Sequence, residues 1–221
     1  MRVGRVRIVE IAAAVLLPLL AACSGDETHI PLLQSYRATL AQAPVCCQDI
    51  RSLPYAPLPV GDSWTVSFRT DTPAYTFVTG KSYFAAYRIP DGALPLRLVV
   101  RTPLGTGMVQ PVILLLDRDF NNGRLIGQAA FRLDVDALGA NRFVTATVLL
   151  GRSDPPPRYI IFLTSDATLA GRTVLGDPLD PTVVPGMAPQ WTQPLNSRPY
   201  QREVYDHSPI GSFRVTTERH S

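Results

Sequence analysis

The chain has 221 residues, with 21 Lys plus Arg against 18 Asp plus Glu, a formal charge of +3. That small excess gives no electrostatic case for nucleic acid or for a strongly acidic partner. The length suits one domain of ordinary size with a real buried core.

Residues 1–22 have the order of a secretory signal. Arg2, Arg5 and Arg7 are positive, Ile11 to Leu20 are mostly apolar, and small residues follow. The apolar run is too short to remain as a membrane-spanning helix. Leu20-Ala21-Ala22-Cys23 is a lipobox, so Cys23 is expected to become the lipidated first residue of the mature chain, anchoring it to a membrane. Serine at position 24 points to the outer membrane of a Gram-negative host, facing the periplasm. Cleavage removes three arginines and Glu10 and leaves 18 basic against 17 acidic side chains.

Residues 23–60 read as a lipidated tether. Leu32, Leu33, Tyr36 and Leu40 predict a short amphipathic helix that ends at Ala43-Pro44, because proline cannot continue a helix. Cys46 and Cys47 stand side by side in what would be an oxidising compartment. They close a small internal ring, stay as thiols, or bond another chain; nothing nearby completes a metal site.

From residue 61 the apolar period becomes two. Trp64, Val66 and Phe68 alternate with polar residues, as do Tyr75 and Phe77, and Lys81 to Ile89 continues the pattern. Further strands are predicted at 94–102, 112–117, 125–131, 142–150, 158–164 and 210–217, separated by Gly, Pro, Asp and Asn punctuation. Val112 to Leu116 has no alternation, which places it centrally with both faces covered. Without long helical patterns between strands, the fold class is all-β: an antiparallel, jelly-roll-like β-sandwich over 61–217. Residues 176–207 contain Pro178, Pro181, Pro185, Pro189, Pro194 and Pro199. They read as a long proline-rich loop before the last strand.

Several chemical motifs fail on inspection. Thr79-Gly80-Lys81-Ser82 ends like a phosphate loop but leads into a strand, where amides do not converge on a phosphate. Gly61-Asp62-Ser63 resembles a lipase opening with Asp206-His207 as its partners, yet that acid adjoins the histidine where such enzymes place it three residues before, and only His29, His207 and His220 could serve as base. Asp117, Asp119 and Asn121 have calcium-loop spacing, but Asn122 replaces the glycine and Gln128 the glutamate. No cofactor, metal or catalytic residue is expected. Among the aromatic residues Trp191, in the proline-rich loop, is the best candidate for stacking on a sugar, with Tyr200 and Asp206 as companions.

Tyr83-Phe84-Ala85-Ala86-Tyr87-Arg88-Ile89-Pro90 and Val109-Gln110-Pro111-Val112-Ile113-Leu114-Leu115-Leu116-Asp117 resemble blocks of the maltose operon periplasmic protein family (MalM type). Tyr159 to Asp166, Asp177-Pro178 and His207-Ser208-Pro209-Ile210-Gly211 are similar to its later blocks. Cys46-Cys47 with Leu53-Pro54-Tyr55 looks like its lipoprotein relatives. The resemblance covers most of residues 46–217 and implies a periplasmic protein linked to maltose and maltodextrin uptake, without enzymatic activity or catalytic residues to carry over. The lipobox departs from the enteric form, as does the lack of its helical C-terminal extension. The expectation is therefore a non-catalytic outer-membrane lipoprotein accessory to carbohydrate uptake, with a maltodextrin ligand. The alternative is a structural adaptor that binds another envelope protein.

Overall fold

The computed structural model describes residues 29–105, 107–121, 123–136, 141–151, 155–175 and 203–220. Residues 1–22, expected to be a signal, and Cys23 lie outside them, as do Trp191, Tyr200 and most of the proline-rich stretch.

The expected sandwich is present. Its first sheet contains β1 (Ala56–Pro57), β3 (Ala74–Phe77), β4 (Gly80–Arg88), β6 (Val112–Leu116), β7 (Arg124–Ile126) and β10 (Tyr159–Leu163). The order is β1-β4-β10-β6-β7, with β3 also paired to β4. Every pairing is antiparallel except β1 with β4. The second sheet is wholly antiparallel. It joins β2 (Ser63–Phe68), β13 (Gly211–Arg219), β5 (Leu96–Pro103), β9 (Arg142–Leu150) and β8 (Arg132–Val135), in that order.

Between the sheets, alternate residues meet in one apolar core. Phe162 is fully buried there, 5.4 Å from the ring of Phe213 and 5.9 Å from that of Tyr87. Phe68 closes on Phe213 edge-first at 5.6 Å, a preferred arrangement for the ring quadrupoles. Burial of such side chains stabilises by roughly 1.5–3 kcal/mol each, before the entropy of ordering them is subtracted.

The run 112–116 is covered on both faces, as its sequence predicts: Ile113 and Leu115 join the central core, and Val112 and Leu116 join a second one. The strand at its side, β10, has the same character, with Ile160, Ile161, Phe162 and Leu163 all fully buried. What covers the outer face is the segment expected to stand off as a tether. Leu53 is buried in that second core with Phe84, Ile161 and Leu163, and Cys47, Ile50 and Tyr55 pack against it. Helix α1 (His29–Gln42) also docks, burying Leu33 and Leu40. Lys81 Nζ donates to the Ala41 carbonyl at 2.8 Å and Arg37 donates to that of Leu169. Apolar residues spaced between prolines thus act as a strap across the sheet, and the described part of residues 23–60 belongs to the domain.

The fold departs from the sequence pattern at two further places. The strand expected at 125–131 is broken: β7 is short, Gln128–Ala130 is a single 3-10 turn, and β8 begins at Arg132 in the other sheet. At this turn the chain crosses from one sheet to the other, a change of partner that periodicity does not encode. The proline-rich stretch also stops earlier than 207. Residues Glu203–Asp206 form β12, which pairs with β11 (Arg172–Leu175) as a separate ribbon following α2 (Asp166–Ala170). Among the described residues, no helix is long and apolar enough to cross a membrane.

Candidate functional site

The strap and the first sheet together build a groove. Asp49 starts the strap's turn by accepting the Ser52 amide at 2.8 Å, while Ser52 Oγ accepts the Asp49 amide at 3.2 Å. This reciprocal capping satisfies two amides that the turn would otherwise orphan. Tyr55 then folds back, its hydroxyl donating to the Ile50 carbonyl at 2.8 Å. Its ring lies 4.7 Å from Tyr159, and Tyr159 stacks on Phe120 at 4.2 Å and 18°. Burial, with Tyr159, Tyr75 and Asp49 nearby, pushes the Tyr55 phenol above its ordinary range, so it remains a neutral donor.

Phe120 sits in the turn whose Asp117, Asp119 and Asn121 have calcium-loop spacing. Asp117 Oδ1 accepts the amides of Asp119 at 2.9 Å and Asn121 at 2.8 Å. The carboxylate therefore organises the turn from within. Phe120 has φ +62°, unusual for a residue with a side chain. Its stacking on Tyr159, with the Arg51 guanidinium 5.3 Å above the ring, offsets that cost.

Beyond these rings lies a depression of about 470 Å³ lined by Ile50, Tyr75, Phe77, Leu114, Phe120 and Leu125. Val78 stands fully exposed at its rim and Leu125 is half-exposed. The lining is mostly apolar, with Thr76 and Thr79 as its polar members. Such a surface suits an apolar side chain or the hydrophobic face of a ring. Sequence reasoning missed it, although the unbroken apolar runs of β6 and β10 signalled that this face is not solvated.

A second constellation surrounds His207, which is completely buried. Its Nδ1 lies 2.6 Å from the Thr168 carbonyl and must donate to it, because a carbonyl only accepts. Nε2 is then free to accept from Thr173 Oγ1 at 2.9 Å. Arg37 Nη2 donates to the His207 carbonyl at 3.4 Å and to Leu169, so the imidazole region ties α1, α2, β11 and β12 together. Burial holds the imidazole pKa below its usual value, and Arg37 pushes the same way. The Thr168 carbonyl and Asp206 oppose.

Asp206, a predicted contact residue, is half-buried on β12 with Oδ1 3.4 Å from Arg172 Nε. Leu175 faces Glu203 at the ribbon's other end, where the connection carrying Trp191 and Tyr200 departs. Three residues of strand separate Asp206 from that point, roughly 10 Å. Of the other strand aromatics, Tyr83 is core, Trp64 Nε1 donates to Tyr87 OH at 3.0 Å across the two sheets, and Tyr75 lines the groove.

Ser63 and His207 do not meet. Ser63 Oγ accepts from Thr216 Oγ1 at 3.0 Å near one end of β13, whereas His207 precedes that strand's opposite end. Thr79-Gly80 is a turn into β4. Gly80 has φ +112°, and a side chain there would collide with the Asp166 carboxylate, so glycine is required for geometry and not for phosphate. Cys46 and Cys47 are joined as a disulfide.

Neither a curated protein nor a solved structure matches the chain significantly. The family model described as maltose operon periplasmic protein precursor (MalM) matches residues 79–217, from the turn before β4 through most of β13. That span holds eight of the eleven sandwich strands and most of the described core between them, while β1, β2 and β3 precede it. The chain belongs to the maltose operon periplasmic protein (MalM) family.

Proposed function

We propose that this protein is a non-catalytic accessory of maltodextrin uptake, held at the outer membrane by a lipid on Cys23 and facing the periplasm. The observation that carries the reading is the family match, which falls on the folded sandwich itself. The lipobox supports anchoring, and the packed strap from His29 onward leaves only a few residues between anchor and domain. The burial of His207, with both ring nitrogens engaged, supports a structural role for the best-placed imidazole.

In this reading α-glucans are contacted by Trp191 and Tyr200, with Asp206 and its neighbour Arg172 supplying hydrogen bonds to sugar hydroxyls. Calorimetric titration of maltose through maltoheptaose into the folded chain tests it. Saturable heat that grows with chain length and disappears in Trp191→Ala is the expected result. No heat from a folded sample overturns direct sugar contact.

The groove beside Phe120 supports a second reading, an adaptor for another envelope protein. Val78 and Leu125 offer the exposed apolar rim that a protein partner covers. Its mark is a specific crosslink through residue 78 that sugars do not affect.

A further inference from the structure

The outer face of the second sheet carries polar residues, and its pairing registers set arginines in one row. Thr65 is opposite Arg214, Arg214 opposite Arg101, Arg101 opposite Thr145, and Thr145 opposite Arg132. Directly paired residues share a face. Five adjacent strands therefore present Thr, Arg, Arg, Thr and Arg on one line, with neighbouring strands about 4.8 Å apart.

Arg101 and Arg214 are immediate cross-strand neighbours, and like charges so placed destabilise a strand pair. Arg101 is held by Asp134, Nη2 to Oδ2 at 2.7 Å, and by the Phe143 ring, 5.8 Å from its guanidinium carbon. Asp134 also accepts from Thr145 Oγ1 at 3.1 Å. Arg132 donates to the carbonyls of Ala129 and Phe131. Arg214 makes no ion pair among the described residues. Asp134 thus offsets one of the row's three positive charges. At the two facing arginines the surface dips into a pocket of about 320 Å³, which Thr65, Phe143 and Ser212 complete.

We propose that this row binds a phosphate ester, gripped between Arg101 and Arg214 with the hydroxyls of Thr65 and Ser212 donating beside them. Guanidinium forks match the paired oxygens of a phosphate, and a bound anion removes the repulsion between the two arginines. A neutral glucan needs neither charge, so the site is separate from the sugar contacts proposed above. Two sources carry this group: a phospholipid headgroup and a soluble phosphomonoester.

The test uses the chain from residue 24 onward, which carries neither the apolar segment 11–20 nor Cys23. Glycerol 3-phosphate is titrated by calorimetry at low salt. Co-sedimentation is measured with phosphatidylcholine vesicles, with and without phosphatidylglycerol. Saturable binding to at least one probe is expected, weakened at least tenfold by Arg214→Gln and less by Arg132→Gln. Circular dichroism confirms that both variants fold. Binding of glycerol 3-phosphate identifies the soluble ester, and binding only to phosphatidylglycerol vesicles identifies the lipid. Binding to neither probe, or binding that survives Arg214→Gln, overturns the proposal.

Discussion

The outer faces of the two sheets have opposite chemistry, and the contrast explains how one sandwich carries both cover and display. On the first sheet the strap buries Leu53 against Phe84, Ile161 and Leu163, so its central strands are apolar on both faces. On the second, Ser63, Thr65 and Ser67 of β2, and Ser212, Arg214 and Thr216 of β13, face outward, while Val66, Phe213 and Val215 face the core. Covered strands lose alternation and solvated ones keep it. Among the described residues, the groove lined by Phe120 and Leu114 lies beside the strap, and the row of arginines lies on the other side.

Substitution tests this contrast directly. Ile161→Ala, on the outer face of the first sheet, is expected to cost about 2–5 kcal/mol in denaturant unfolding, as much as Ile160→Ala on the inner face. If Ile161→Ala proves cheap, the strap is not a tight cover. Next in size is Leu53→Ala, which thins that cover from the strap side and should lose about 2–4 kcal/mol.

A third expectation concerns acid. The folded state keeps His207 neutral because burial opposes its charge, while the unfolded chain protonates near pH 6.5. Below that pH the unfolded state binds more protons, so stability falls as pH drops, by at most about 1.4 kcal/mol per unit from this group. Unfolding curves between pH 7 and 5 measure the slope, and His207→Gln should reduce it. The smallest effect belongs to the bare face: Thr147→Ala, exposed on β9, should stay within about 1 kcal/mol. A larger loss would mean that this face is packed.

Much of this was legible in the residues. Turn punctuation and period two located β2, β4, β5, β9, β10 and β13 to within a few residues, because each buries one or both faces on the core. The run 112–116 announced its own double cover. Where the reading failed, the cause was long-range. Nothing local to Leu53 or Tyr55 says that they will meet Ile161 and Tyr159, more than a hundred positions away. Residues 172–175 and 203–206 find each other across a long connection, so neither strand stands out alone. The candidate site was less legible than the fold. Phe120 stands between Asp119 and Asn121 with nothing local to single it out, since its role in the groove depends on stacking with Tyr159. The row Thr65-Arg214-Arg101-Thr145-Arg132 exists only through register, since its members are scattered along the chain.

The position of β13 also has a consequence for biogenesis. It lies between β2 and β5, hydrogen-bonded to both, so the edge strand β2 stays separated from the rest of the second sheet until residues 211–219 emerge. A chain threaded through a translocation pore from its N-terminus would hold β2 and β5 with open edges until the end of transit. The sandwich would then close only after its last strand had emerged.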